Sequence, residues 1–180
     1  MLVKPLCLFY MAIAVLLILI FFFHEQFDPR QIVDELEATF QHSFVYKQQQ
    51  TEFGVFCFIN DIKVDFVYFP HPMIEEIEVV DNIRMYSNAD ISAMKIQAIL
   101  GRAKKTDFWD LYELLQNYSF QQLIDWHKQK YPSQMLAISI PHAITYFAEA
   151  EESETPVCFK NQTWEQIKKE ISKSVRDYLR

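Results

Sequence analysis

A chain of 180 residues that is 51% hydrophobic and 16% aromatic has enough apolar material to bury one sizeable core, so one compact domain, at most two-lobed, is expected. The formal net charge of −7 removes any global attraction to nucleic acid, and with Gly54 and Gly101 as the only glycines no phosphate-cradling glycine loop or dinucleotide fingerprint exists. The three cysteines, Cys7, Cys57 and Cys158, are odd in number and lack metal-ligand spacing, so they read as reduced thiols of a cytosolic protein.

In chain order, Leu6 to Phe23 comes first, an apolar run of eighteen residues preceded by Lys4. Taken alone it is a membrane-anchor candidate, without a small-residue cleavage site after it. Asp28-Pro29-Arg30-Gln31 marks a helix start: Asp28 is the N-cap, Pro29 suits the first helical position, and Gln31 completes a capping box. Ile32, Val33, Leu36 and Phe40 form its predicted buried face. Phe44 to Tyr46, Val55 to Ile59 and Ile62 to Tyr68 alternate or are β-branched enough to be strands, the last two joined by a tight Asn60-Asp61 turn. Pro70 and Pro72 end that run, and Ile83 to Met85 adds a short strand.

From Ala89 to Leu115 the pattern predicts two helices joined by a basic elbow. Ile91, Met94, Ala98 and Ile99 recur at helical spacing, Gly101 stands where a C-cap belongs, and Phe108, Leu111, Tyr112 and Leu115 resume the period. Ser119-Phe120-Gln121-Gln122 is a capping box for a helix to about Tyr131, stopped by Pro132. A further helix is expected from Ser133 towards Glu151, bent at Pro141, then an acidic loop. Thr163-Trp164-Glu165-Gln166 caps a last helix with Ile167, Ile171 and Tyr178 inward, which explains Thr163 better than the glycosylation sequon Asn161-Gln162-Thr163 does. His24, His71, His127 and His142 are scattered without a partner at ligand spacing, so no zinc is assigned.

The central segment resembles the AbiEii/AbiGii family of nucleotidyltransferase toxins. Its members carry a helix with a Met-Lys pair, here Met94-Lys95, then a Gly-Arg elbow, here Gly101-Arg102, then Arg-Asp-Phe-x-Asp-Leu-Tyr, here Thr106-Asp107-Phe108-Trp109-Asp110-Leu111-Tyr112. Thr106 departs from the basic residue usual in the family. The resemblance runs from about Phe22 to the C-terminus. It implies an α+β, polymerase-β-like nucleotidyltransferase fold, truncated at the start: a partial sheet domain over 1–88, with 1–21 an aberrant apolar segment, and a helical lobe over 89–180. It further implies transfer of a nucleoside monophosphate from a nucleoside triphosphate to an RNA such as tRNA, with Mg²⁺, in a toxin–antitoxin or phage-defence pair in the cytoplasm.

Site residues follow from the same resemblance. Asp65 is the implied third metal carboxylate, Lys95 the contact to the triphosphate, and Asp107 an active-site acid. Arg102, Lys104 and Lys105 are basic candidates for phosphate. Each has a plainer reading: Asp65 a solvated strand residue, Lys95 the wet face of its helix, Asp107 a helix-start acid, the elbow cations merely solvated. Asp is disfavoured in strands, which favours a purpose for Asp65.

Two further family carboxylates are expected on the strand before Phe27. Counting back, they fall on Ile18 and Ile20. An Asp-x-Asp pair on a strand points both acids to one side, and with a third acid can hold two Mg²⁺ ions about 4 Å apart for an in-line displacement. Permitted codons for Tyr10 to Phe22, read from the last base of the Tyr10 codon, spell Tyr-Gly-His-Arg-Cys-Ser-Ile-Asp-Ile-Asp-Phe-Phe, which places two aspartates at this point. The expectation is therefore an out-of-frame first motif, with the frame restored near Phe21-Phe22-Phe23, and a chain impaired in catalysis. The alternative is a membrane-anchored or truncated remnant that binds a partner without catalysis.

Overall fold

The computed structural model describes residues 7–9, 18–46, 53–158 and 160–180. They are a mixed α+β assembly in two compact units, one comprising the described residues to Pro72 with 77–86, the other 73–76 with 87–180.

The first unit is a sheet with one helix. β1 (Cys7–Phe9) and β2 (Ile18–Phe23) precede α1 (Pro29–Phe40); β3 (Phe44–Tyr46), β4 (Gly54–Ile59), β5 (Ile62–Tyr68), β6 (Glu78–Val80) and β7 (Ile83–Met85) follow. The strand order is β3-β4-β5-β2-β1-β7-β6. β2 lies in the middle, parallel to β5 and antiparallel to β1. The expected strand at the end of the apolar run is thus present, while residues 6 and 10–17 of that run lie outside the described set. Among the described residues no helix is long and apolar enough to cross a membrane.

Local chemistry explains these elements. Asn60 and Asp61 both adopt positive φ, 49° and 62°, as a two-residue hairpin turn matched to strand twist requires. Asp81 and Asn82, at 50° and 63°, do the same between β6 and β7, a hairpin of which only the second strand was expected. Gly54 is obligatory for packing: a Cβ there would stand 2.3 Å from the Phe66 carbonyl oxygen. Asp28 caps α1, accepting from the Arg30 amide at 2.9 Å, so the cap closes on the second helical residue instead of through the expected box with Gln31.

Helix α1 covers one sheet face. Ile32, Phe23 and Val55 are buried together, with Phe21, Phe66, Val33 and Leu36 against them, and Phe44, Cys57 and Val64 continue the layer. Burying each such side chain contributes roughly 1.5–3 kcal/mol. Phe40, expected on the buried face, is exposed, because α1 ends there and the chain turns at Gln41 with positive φ.

The second unit is helical: α2 (Asn88–Arg102), α3 (Lys105–Leu115), α4 (Phe120–Lys130), α5 (Ile140–Thr145), α6 (Ala148–Glu151) and α7 (Trp164–Tyr178). Helix α2 packs on α3, α4 and α5, and α7 closes over α3, α4 and α5. Ile96, Phe108, Leu111, Leu123, Ile144, Ile167 and Ile171 are fully buried between them. Both expected capping boxes are formed, Ser119 with Gln122 and Thr163 with Gln166.

Two expectations fail here. The helix from Ser133 towards Glu151 is instead irregular chain, then α5, then α6. Ser139 caps α5, and Pro141 occupies its first turn, where a missing N–H costs nothing, so the proline begins a helix and does not bend one. Nor is Gly101 the C-cap of α2. The helix continues through Arg102, and Ala103 takes the left-handed cap conformation (φ 40°, ψ 57°), its N–H bonded to the Ala98 carbonyl. Ala103 is buried, and Arg102 beyond Gly101 reaches Asp107, so tertiary contacts set the helix end in place of local propensity.

Candidate functional site

Asp65 belongs to the sheet unit. Strand alternation puts Val64 and Phe66 in the layer under α1, so Asp65 projects from the opposite face. Its neighbours across the ladders are Ile20 on β2 and Phe56 on β4. The side chain is 8% exposed, Oδ2 accepts from Lys63 Nζ at 2.8 Å, and Oδ1 has no hydrogen-bond partner among the described residues. An orphaned carboxylate oxygen at this depth costs about 1–3 kcal/mol, which is hard to reconcile with a solvated strand residue. Behind it, burial first and the Asp65 charge second push the Cys57 thiol up to about 11, and Cys57 Sγ donates to the Val64 carbonyl.

The second unit brings Lys95, Arg102 and Asp107 together. Lys95 projects from α2 and is almost fully buried, Nζ donating to Asp107 Oδ1 at 3.1 Å and pairing with Asp110 Oδ2. Arg102 Nε stands 3.3 Å from Asp107 Oδ2, with its side chain 60% exposed. Asp107 and Asp110 are one turn apart on α3, so both acids face α2. Two cations and two anions thus balance around the Ala103 elbow. Burial pushes the Asp110 carboxyl above its ordinary range; Lys95 pulls it down, while the charges of Asp107 and Glu113 add to the rise.

The elbow lysines divide. Lys104 is the exposed N-cap residue of α3 and makes no side-chain cap bond. Lys105 is buried, and its Nζ donates to the carbonyls of Glu151 and Ser153 at 3.1 and 2.8 Å, so its charge ties α3 to the end of α6.

The sequence model of the AbiEii family, described as nucleotidyl transferase AbiEii toxin of type IV toxin–antitoxin systems, matches residues 22–179. The chain belongs to this family. AbiEii membership brings a nucleotide substrate and a cognate antitoxin as its class of partners. An uncharacterized protein of Aquifex aeolicus, aq_aa25, is 26% identical over 157 residues, 85% of this chain and 73% of its own length. Among solved structures, MenT4, a nucleotidyltransferase toxin of Mycobacterium tuberculosis, shares the fold with a TM-score of 0.56 at 12% identity, over 92% of this chain and 72% of MenT4. JHP933 from Helicobacter pylori aligns with a TM-score of 0.49 at 13% identity, over 91% of this chain and 75% of that one.

The family's metal is a separate question, answered by the donors present. Asp65 offers one orphaned oxygen, as a metal ligand would, but Lys63 holds the other and Ile20 stands in register beside it. Among the described residues no three His, Cys, Asp or Glu side chains converge. A hard dication needs several oxygen donors, so the described residues do not make a Mg²⁺ site.

Sequence reasoning missed two participants. Asp110 was read as an acid of the helix start one turn on from Asp107 and not as a site residue, although Asp107-x-x-Asp110 is an i, i+3 pair on one helix face. Asp90 escaped notice too. It is fully buried, accepts from Lys130 Nζ at 2.6 Å, from Ser87 Oγ at 2.8 Å and from the amides of Ile74 and Glu75 at 3.0 and 3.3 Å. The signal for half of this was legible, since Ser87-Asn88-Ala89-Asp90 has capping-box spacing.

Proposed function

We propose that this chain derives from an enzyme transferring a nucleoside monophosphate to an RNA acceptor, tRNA being the first candidate, and is itself impaired because residues 18 and 20 are isoleucine. In the reaction an acceptor hydroxyl oxygen bonds to the α-phosphorus of a nucleoside triphosphate, the α–β bridging bond breaks, and pyrophosphate leaves with the proton passing to solvent or base. Such a transfer asks little covalent chemistry of the protein and much positioned charge.

The observation that carries the reading is the β2–β5 register. Ile20 is the cross-strand neighbour of Asp65, and Ile18 that of Lys63. Aspartate at 20 would therefore adjoin the orphaned Asp65 oxygen, and a pair at 18 and 20 would complete a three-carboxylate set suited to Mg²⁺. Arg102 and the exposed Lys104 supply positive charge for the triphosphate, while Lys95, buried between Asp107 and Asp110, holds the elbow in place. The carbonyl bonds of Lys105 remove it from the triphosphate role. A cytoplasmic toxin of a phage-defence locus, restrained by an antitoxin, is the setting this implies.

The remnant reading, a folded partner-binding protein without catalysis, is favoured for the chain as written by the same isoleucines. Anchorage in a membrane is disfavoured by β2 being a strand. The DNA of the locus tests the origin: the codons of Tyr10 to Phe22 either spell the motif in the neighbouring frame or they do not. Activity is tested with labelled nucleoside triphosphate and bulk tRNA. The chain as written is expected to transfer nothing, and the frame-restored protein, upstream residues included, to transfer label. An inactive restored protein, or an active original, overturns the reading.

A further inference from the structure

Lys63 and Asp65 lie two residues apart on β5, so both project from the same side of the sheet. Nζ of Lys63 donates to Asp65 Oδ2 at 2.8 Å, while Oδ1 is buried without a hydrogen-bond partner among the described residues. The pair is unequal: the Asp65 side chain is 8% exposed and that of Lys63 39%. A short carboxylate is therefore fixed in the sheet, whereas a flexible four-carbon stem lets the ammonium move out into water. Burying a lone carboxylate is costly, and a cation in contact with it offsets the cost whether that cation is an ammonium or a metal ion. Beside this pair, one strand spacing of about 4.8 Å from Asp65, stands Ile20, the position where the proposed function requires a further acid.

We propose that Lys63 is a tethered counter-ion that takes the place of a divalent cation at Asp65 and must swing out to solvent before such an ion can bind there, a role that rests on Asp65 being a metal carboxylate of the proposed transfer. The ammonium engages lone pairs of Oδ2 that a dication would use, and its charge repels that ion. In the chain as written Ile20 supplies no oxygen, so the lysine wins the competition and Asp65 is neutralised without metal. With aspartate at 20 the same ammonium would neutralise one of two adjacent acids, and so set how tightly an ion is held. Lys63 is thus a lock on the site and not a ligand in it, since an ammonium has donors only and no lone pair to offer a metal. Its half-open position is what a lock requires, because a fully buried lysine could not leave the carboxylate without stranding its own charge.

The test is Mn²⁺ binding by the full chain, by Ile20→Asp, and by Ile20→Asp combined with Lys63→Met, read from the paramagnetic resonance of free Mn²⁺ and from melting temperature. An Asp65→Asn version of each protein subtracts ions bound elsewhere on the acidic surface. The parent is expected to show no Asp65-dependent binding, and Ile20→Asp to show it. Lys63→Met should then tighten Mn²⁺ by about ten-fold in the Ile20→Asp background and enlarge the rise in melting temperature that the ion produces. Equal or weaker affinity without Lys63 overturns the lock and leaves the carboxylate site standing. Absence of Asp65-dependent binding from both Ile20→Asp proteins overturns the carboxylate reading and the lock with it. Parent binding as tight as that of Ile20→Asp shows that the ammonium excludes nothing, and also overturns the proposal. Should Ile20→Asp fail to fold, the parent pair decides. Lys63→Met is expected to lower the parent's melting temperature, and that loss to vanish in the Asp65→Asn background, equal losses in both backgrounds being the refuting result.

Discussion

Replacing Lys130 by methionine measures what the buried Asp90 network is worth. Lys130 and Asp90 are both 0% exposed, and the Nζ–Oδ1 separation is 2.6 Å. Methionine keeps the stem volume and removes the charge, leaving Asp90 anionic and out of water. Removing one partner of such a pair costs about 3–5 kcal/mol. Asp90 retains the Ser87 hydroxyl and the Ile74 and Glu75 amides, so the low end, about 3 kcal/mol, is expected. Taking about 2–4 °C per kcal/mol for a chain of this size, the melting temperature should fall by about 6–12 °C. Asp90→Ala should also destabilise, because Lys130, the Ser87 hydroxyl and the Ile74 and Glu75 amides all lose an acceptor. Urea denaturation followed by circular dichroism gives both free energies, and the double variant gives the coupling. A Lys130→Met protein within about 1 kcal/mol of the parent would refute the ion-pair argument.

The two glycines should respond oppositely: Gly101→Ala, in a helix interior with open space around its Cβ, should stabilise by about 0.4–1 kcal/mol, while Gly54→Ala, driven onto the Phe66 carbonyl, should destabilise by about 2 kcal/mol or more, both read by chemical denaturation. Ala103→Gly should change stability by less than about 1 kcal/mol, relief of the residue's φ of 40° being offset by loss of a buried methyl of about 0.8 kcal/mol. Burial lowers the His127 pKa to about 4 from 6.5. The unfolded chain then binds the extra proton first, so stability is complete above about pH 6.5, falls as the pH drops towards 4, and loses about 3 kcal/mol over that window; a His127→Gln variant should lack this segment of the profile, and an unchanged profile would refute it. In the frame-restored protein Asp65→Asn should abolish nucleotide transfer while leaving the far-ultraviolet circular dichroism of the fold unchanged, and undiminished transfer would remove Asp65 from the site.

How much of this was legible depended on whether the deciding contact was local. The Asn60-Asp61 turn, the Ser119 and Thr163 caps and the strands around Asp65 are settled within a few residues, and the sequence shows them. The Ala103 elbow depends on Arg102 meeting Asp107 and on burial of a methyl group, so glycine at 101 misled. The role of Lys105 depends on carbonyls at 151 and 153, beyond any helical or strand period. Asp90 is similar, its cation lying forty residues away. Family resemblance put Lys95 and Asp107 among the site residues, but their pairing, with Asp110 and Arg102 completing a balanced cluster, required coordinates.

The central place of β2 has a thermodynamic consequence. With isoleucine at 20, an apolar side chain stands beside Asp65 and no carboxylate repulsion arises across that ladder. Aspartate there would set two carboxylates side by side across a ladder, a repulsion that a bound cation would relieve. Folding would then be linked to ion activity, the melting temperature rising by mass action as the ion concentration passes its dissociation constant. Position 20 therefore decides whether this sheet is a passive scaffold or an ion-dependent one.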